Sequence, residues 1–430
     1  MVKLLTMMAL IFGMGLMGCT PRQSENLGED GKVSVSPTPA PSLAPAPPKP
    51  LLVVPENPDP EVMTMINNYL DQLEGQGFPR SQQGIWFQTS EKLLANYQGT
   101  IPLSAASITK MATTLAALKT FNPDHQFITK FSTNGRIENG VLMGDLIVEG
   151  NQDPLFVWEE AIAVGNRLNE MGIKQVTGNL IIIGQFYMNF EANPQTAGNV
   201  LKQGLNSQIW PGEADQQYET LPPGTPRPQV KIDGRVQVAN TSSPSTQVLL
   251  EHESLPLVKL TKKMNLYSNN LMADMLADAV GGPSVVAKIA ADAVGVPGNE
   301  IQLINGSGLG EENKISPRAA CGLFLAIERL LSPENLTIAD VAAVIGEDAQ
   351  GILNQRSLPN FAVVKSGSLN YVSTLAGQLP TETQNIVCFA IMNGGGFFED
   401  FRSQQESLLN NLVRQWGAVT TAPPGLKSTR

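Results

Sequence analysis

Pro102-Leu-Ser-Ala-Ala-Ser-Ile-Thr-Lys-Met-Ala-Thr-Thr-Leu-Ala-Ala-Leu118 places a serine, Ser107, three residues before a lysine, Lys110, at the head of an apolar stretch. Met111, Leu115 and Leu118 recur at helical spacing, which predicts a helix over 108 to about 120 that Ser107 opens. Residues three apart on a helix share a face, so the hydroxyl and the amine can touch. A serine hydroxyl is a weak nucleophile until a nearby base takes its proton, and Lys110 is placed to be that base. At a helix N-terminus the nucleophile also gains from positive potential and from free backbone N–H groups.

Working outward, two further stretches carry suitable side chains: Ser268-Asn-Asn270 and Lys365-Ser-Gly367. A triplet S-x-N is common by chance, and Ser24, Ser132 and Ser368 also begin one. Ser107, however, is the only serine with lysine three positions on, and Lys365 begins the only K-[ST]-G. To act as a base Lys110 must be neutral, so its pKa has to fall from about 10.4 towards 7 or 8. Burial and a second cation, for which Lys365 is the natural candidate, supply that fall.

A chain of 430 residues with 42% hydrophobic side chains can build two or three domains. No basic cluster offsets its formal charge of −10, which argues against nucleic acid as a partner. The two histidines, His125 and His252, sit in no motif and read as surface or partly buried structural residues, not as a triad base. With only three cysteines beside them, zinc lacks a ligand set, and no metal or other cofactor is expected. Cys321 and Cys388 read as buried thiols on core elements, with a single disulfide as the alternative.

Residues 1–19 read as an export signal: Lys3, then an apolar run over 4–17 too short to span a membrane comfortably, then Leu16-Met-Gly-Cys19. Residues 20–60, proline-rich as in Pro37-Thr-Pro-Ala-Pro41, read as an extended tether. At about 3.1 Å per residue such a tether reaches on the order of 100 Å, with a passive spacer as the plainer reading.

Beyond residue 61, Val62, Met65, Ile66, Tyr69 and Leu73 mark a helix, and 84–88 with 93–95 mark a hairpin. From 126 to 250 the texture changes to short alternating runs, with strands over 140–148 and 176–183 and a helix over 156–171. This segment reads as a β-rich α/β insertion that splits a catalytic domain into 61–125 and 251–417. Helices are expected over 262–280, with Ser268-Asn-Asn270 inside, and over 317–331. Strands over 362–365, 371–378 and 386–392, a closing helix to 416 and a tail over 418–430 complete the chain. The order implies an α+β fold, an antiparallel sheet flanked by helices.

S-x-x-K, S-x-N and K-[ST]-G form the trio shared by penicillin-binding proteins and class A β-lactamases. The 102–118 stretch, Gly144-Asp-Leu-Ile-Val-Glu-Gly-Asn-Gln-Asp-Pro154, Asn305-Gly-Ser-Gly-Leu309, Ile315-Ser-Pro317 and Lys365-Ser-Gly-Ser-Leu369 closely resemble the class C low-molecular-mass penicillin-binding proteins. These are D-alanyl-D-alanine carboxypeptidases and endopeptidases of peptidoglycan that β-lactams acylate. The resemblance runs from about 84 to 417 and implies the penicillin-binding-protein/β-lactamase-like transpeptidase fold. It departs at Ser366, where threonine is usual, at Asn151-Gln152 before Asp153-Pro154, at Asn305, where aspartate is common, and in an insertion shorter than the family's. Leu16-Met-Gly-Cys19 resembles a bacterial lipoprotein signal, which implies lipid attachment at Cys19 and a membrane-anchored protein of the cell envelope or periplasm. Met17 is unusual in that box, and an ordinary secretory signal is the alternative.

The resemblance implies that Ser107 attacks the carbonyl between two D-alanines of a peptidoglycan stem peptide, with Lys110 as general base. Ser268 would relay a proton to the leaving amine, and Asn270 would hold the substrate amide or the Lys110 ammonium. Lys365 and Ser366, beside Gly367, would bind the terminal carboxylate, and the backbone N–H groups of Ser107 and Ser368 would form the oxyanion hole. Two readings compete. A class A β-lactamase needs a deacylating glutamate in E-x-x-L-N, and the nearest match, Gln350-Gly-Ile-Leu-Asn354, lacks the acid. A non-catalytic peptidoglycan-binding lipoprotein has no need of Ser107, Lys110 and Lys365 together.

Overall fold

The computed structural model describes residues 49–241 and 246–429. The expected export signal, Cys19 and most of the proline-rich segment lie outside the described residues. No helix among those described is long and apolar enough to cross a membrane.

Six strands pair antiparallel in the order Ala343–Val344, Val363–Leu369, Val372–Thr381, Asn385–Gly394, Gln83–Gln88, Leu93–Tyr97. Each sends alternate side chains to opposite faces. Val364, Leu375 and Phe389 meet Ile66, Leu70, Phe401 and Leu412 of the helices Pro60–Gly75 and Phe398–Trp416 on one face. Val363, Ala376 and Ala390 meet Met111, Leu115, Phe324 and Ile327 of Thr109–Phe121 and Pro317–Leu331 on the other. Covered on both sides, the central strand Val372–Thr381 is buried along its whole length.

Helix starts follow local chemistry. Asp59 accepts hydrogen bonds from the Glu61 and Val62 N–H groups ahead of Pro60, and Ser316 accepts one from Ala319 ahead of Pro317. In each case an orphan donor is satisfied and proline sits where its missing N–H costs nothing.

Residues 128–253 build a mixed five-stranded sheet, a four-stranded sheet and three helices around a separate apolar cluster that includes Phe131, Val148, Phe156, Ile182 and Leu201. The strands expected over 140–148 and 176–183 each divide between the two sheets, as Val141–Met143 with Leu146–Asn151 and Gln175–Val176 with Leu180–Gln185. The corner is glycine-dependent: a Cβ on Gly178 would lie 2.4 Å from the Gly144 carbonyl oxygen. A period-2 pattern does not reveal such a step between sheets.

Four expectations need correction. The helix expected over 262–280 is two helices, Leu257–Leu266 and Asn270–Val280, because Ser268 adopts a φ of 53° and Asn269 caps the second helix through the Met272 N–H. The strand Gln247–Glu253 crosses the boundary placed at 250, since its alternating burial continues to His252. Residues 51–53 of the expected tether pack on the body through their apolar side chains, and Gln88 and Asn96 donate to the carbonyls of Leu51 and Pro55. Cys321 and Cys388 form a disulfide between the Pro317–Leu331 helix and the sheet. The tail is also docked: Leu426 is fully buried, and Asp340 accepts from the Ser428 hydroxyl and the Thr429 N–H.

Candidate active site

Ser107 lies in a 3₁₀ turn, Ala106–Ile108, that runs into the helix Thr109–Phe121. The α-helix starts one residue later than expected, behind this 3₁₀ turn, in which Ala106 holds a φ of 45°. A non-glycine residue in that region is strained, and the surroundings hold it there. Thr374 donates from the neighbouring strand to the Ala105 carbonyl at 2.9 Å. A Cβ on Gly367 would lie 2.6 Å from the Ser107 nitrogen, so only glycine lets the Lys365 strand approach this turn.

Lys110 is fully buried, one turn along from Ser107. Its Nζ lies 3.0 Å from Ser107 Oγ, 2.7 Å from Asn270 Oδ1 and 2.7 Å from the Ser307 carbonyl oxygen. Burial pulls its pKa down to about 7, against the opposing charge of Asp274. A neutral amine has two N–H bonds and one lone pair. Asn270 Oδ1 and Ser307 O can only accept, so they take the two N–H bonds and turn the lone pair toward the Ser107 hydroxyl.

Lys365 is 1% exposed, and its Nζ donates to Ser268 Oγ at 3.0 Å and to the Ser366 carbonyl at 2.8 Å. Burial, and then the like charge of Lys110, hold it well below the ordinary lysine value. Burial is the main cause for Lys110, and Lys365 is not among the charges that act on it; the like charge runs from Lys110 to Lys365.

The structure thus brings Ser107, Lys110, Ser268, Asn270, Lys365 and Gly367 into one contact network. Ser366 is buried at the same strand, and the Ser368 hydroxyl accepts from Arg402 at 3.3 Å. The Ala343–Val344 strand pairs only with Val364 and Val363, so from Lys365 to Leu369 no strand of the described residues covers that edge. Ser307, Asp274, Thr374 and Arg402 were given no role from sequence. Asn305-Gly-Ser-Gly-Leu309 was the available signal for Ser307, while the other three are placed by tertiary contacts alone.

The histidines sit elsewhere. His125 stacks on Phe121. His252 is buried, 3.8 Å from Asp153 Oδ2 and 3.5 Å from Glu160 Oε2. Burial pushes His252 down to about 4 and Asp153 up to about 7, so near neutral pH the imidazole is uncharged and forms no ion pair with either.

An antiparallel sheet flanked by helices, with a serine and a buried lysine on the turn that enters the central helix, is the architecture of the penicillin-binding serine hydrolases. The model of the D-Ala-D-Ala carboxypeptidase 3 (S13) family matches residues 67–218 and 227–414, and the chain belongs to that family of serine-type carboxypeptidases. The chain is 24% identical to the D-alanyl-D-alanine carboxypeptidase DacB of Haemophilus influenzae over 411 residues, 73% of this chain and 85% of the relative. Among solved structures, a predatory peptidoglycan endopeptidase of Bdellovibrio bacteriovorus superposes with a TM-score of 0.66 at 21% identity, covering 79% of this chain and 94% of the other. Penicillin-binding protein 4 of Haemophilus influenzae superposes with a TM-score of 0.61 at 20% identity, covering 82% of this chain and all of the other.

Proposed function

We propose that the protein acts on peptidoglycan stem peptides as a D-alanyl-D-alanine carboxypeptidase or endopeptidase, through an acyl-enzyme on Ser107. The observation that carries this reading is the Lys110 socket, in which two obligate acceptors leave the amine's lone pair for the Ser107 proton. Ser107 Oγ forms a bond to the carbonyl carbon while its proton moves to Lys110 Nζ. The C–N bond then breaks, and the proton that Lys110 took passes through Ser268 to the leaving amine, which leaves Lys110 neutral again. Water next attacks the ester with Lys110 again as base, releasing the shortened peptide and restoring the Ser107 hydroxyl.

The open edge of the Lys365 strand suits a substrate that adds as a further strand, with the N–H groups of Ser107 and Ser368 turned to the oxyanion and Ser366 and Lys365 to the terminal carboxylate. That carboxylate brings an anion to Lys365, which favours its ammonium form. A charged Lys365 in turn disfavours a charged Lys110, so binding of the correct substrate readies the base.

β-Lactams enter the same cycle and stop at the ester. The Bdellovibrio endopeptidase has been seen acylated by penicillin G, which supports this part of the reading. We further propose an exported enzyme held at the envelope by a lipid on Cys19, with a subdomain that ends after the Gln247–Glu253 strand inserted in the catalytic domain. The buried disulfide supports an oxidising compartment.

The test is labelling and digestion. Labelled penicillin is expected on Ser107 by mass mapping, and Ser107→Ala is expected to lose both the label and the release of D-alanine from purified peptidoglycan. An acyl group found on any other serine overturns the assignment.

A further inference from the structure

Lys110 is oriented in part by a loop carbonyl, and that loop is itself held by a carboxylate. Asp274 lies four residues after Asn270 on the helix Asn270–Val280, so the two side chains share a face. Asp274 Oδ1 accepts the Gly306 N–H at 3.0 Å. The carbonyl of the next residue, Ser307, is the one that takes a Lys110 N–H. Thr113, on the Lys110 helix, donates to the Gly306 carbonyl at 2.7 Å.

The turn has little room to move. A Cβ on Gly306 would lie 2.3 Å from the Ala273 carbonyl oxygen, and one on Gly308 would lie 1.8 Å from the Ala106 carbonyl oxygen. The segment is therefore wedged between the Asp274 helix and the Ser107 turn. The charge that acts on Lys110 is that of Asp274, which favours the ammonium, and the charge of Lys110 in turn holds down Lys365 on the sheet.

We propose that Asp274 is a positioning residue for the base. Its carboxylate pins the Gly306 N–H so that the Ser307 carbonyl turns Lys110 toward Ser107, and its negative charge faces the Lys110 ammonium. The role rests on Lys110 being the base for Ser107, and it adds a residue that touches neither the substrate nor the nucleophile.

The experiment is the rate of Ser107 acylation by a fluorescent penicillin between about pH 5 and pH 9. Asp274→Asn keeps an acceptor for the Gly306 N–H and removes the charge. Its acidic limb is expected to move down by about 0.5–1 pH unit, with the plateau within about threefold of the parent. Asp274→Ala frees the loop as well, and its plateau is expected to fall about tenfold or more on top of the same shift. A purely structural role would not move the limb. An Asp274→Asn profile that superposes on the parent overturns the proposal, and this variant decides alone if thermal melting shows that Asp274→Ala does not fold. Lys110→Ala is the control. Full acylation without the lysine would overturn the base assignment and this proposal with it, whereas lost acylation there beside an unmoved Asp274→Asn limb overturns Asp274 alone.

Discussion

At the scale of single residues, two lysines share one buried socket, and their charge states are linked. Lys110, near 7, has Asp274 to offset its burial, whereas Lys365 is held well below the ordinary lysine value by burial and by the charge of Lys110. Because the base must be neutral, acylation is expected to rise with pH through about 7 in the free enzyme. A substrate carboxylate favours the charged form of Lys365 and so pushes the Lys110 proton off at lower pH. We therefore predict that kcat for a D-alanyl-D-alanine peptide has its acidic limb below that of the same peptide ended in an amide, and that the amide has the higher KM. Steady-state kinetics against pH on the two peptides checks this, and coincident limbs would show that the carboxylate does not reach Lys365. S-x-x-K and K-[ST]-G were enough to select these two lysines from the sequence. The part Asp274 plays was not legible, because its charge meets the socket only through the folded Asn270 helix.

At the scale of elements, the break between Leu257–Leu266 and Asn270–Val280 serves the site. An unbroken helix would carry Ser268 and Asn270 about 200° apart around its axis. The reversal at Ser268 instead lets its hydroxyl meet Lys365 while Asn270 meets Lys110. Serine holds a φ of 53° there at a cost of roughly 1 kcal/mol that glycine avoids. Ser268→Gly and Ser268→Ala both lack the hydroxyl and are expected to lose acylation to a similar degree. The glycine variant should nonetheless be the more stable of the two by about 1 kcal/mol. Urea unfolding of the pair tests the strain, and equal midpoints would refute it. The continuous apolar pattern from Leu266 to Ala279 hid this break, since periodicity records faces and not a single reversed dihedral.

At the scale of the molecule, the sheet joins the beginning of the described chain to its end, and one covalent link crosses the layers. The Cys321–Cys388 disulfide closes a loop of 67 residues that contains the whole Lys365 strand. Loop-closure entropy for that length gives a stabilisation of about 4 kcal/mol, an upper figure for a link between elements that already pack. Replacing both cysteines by serine is expected to lower the melting temperature clearly while leaving penicillin acylation at low temperature close to that of the parent, because neither sulfur touches the site. Calorimetry and labelling on the double variant check this, and an unchanged melting temperature would mean that packing alone holds the helix to the sheet.

The sequence by itself determined the α+β class and singled out the serine and the two lysines of the proposed mechanism, because these depend on residue types at short spacing and on apolar periods that any local segment displays. Tertiary structure alone decided that Ser268 sits in a helix break, that Asp274 holds the loop whose Ser307 carbonyl takes a Lys110 N–H, that residues 51–53 dock, and that the two cysteines join. Each of these depends on contacts between residues far apart in the chain, or on one dihedral that such contacts impose, and neither leaves a mark in local composition.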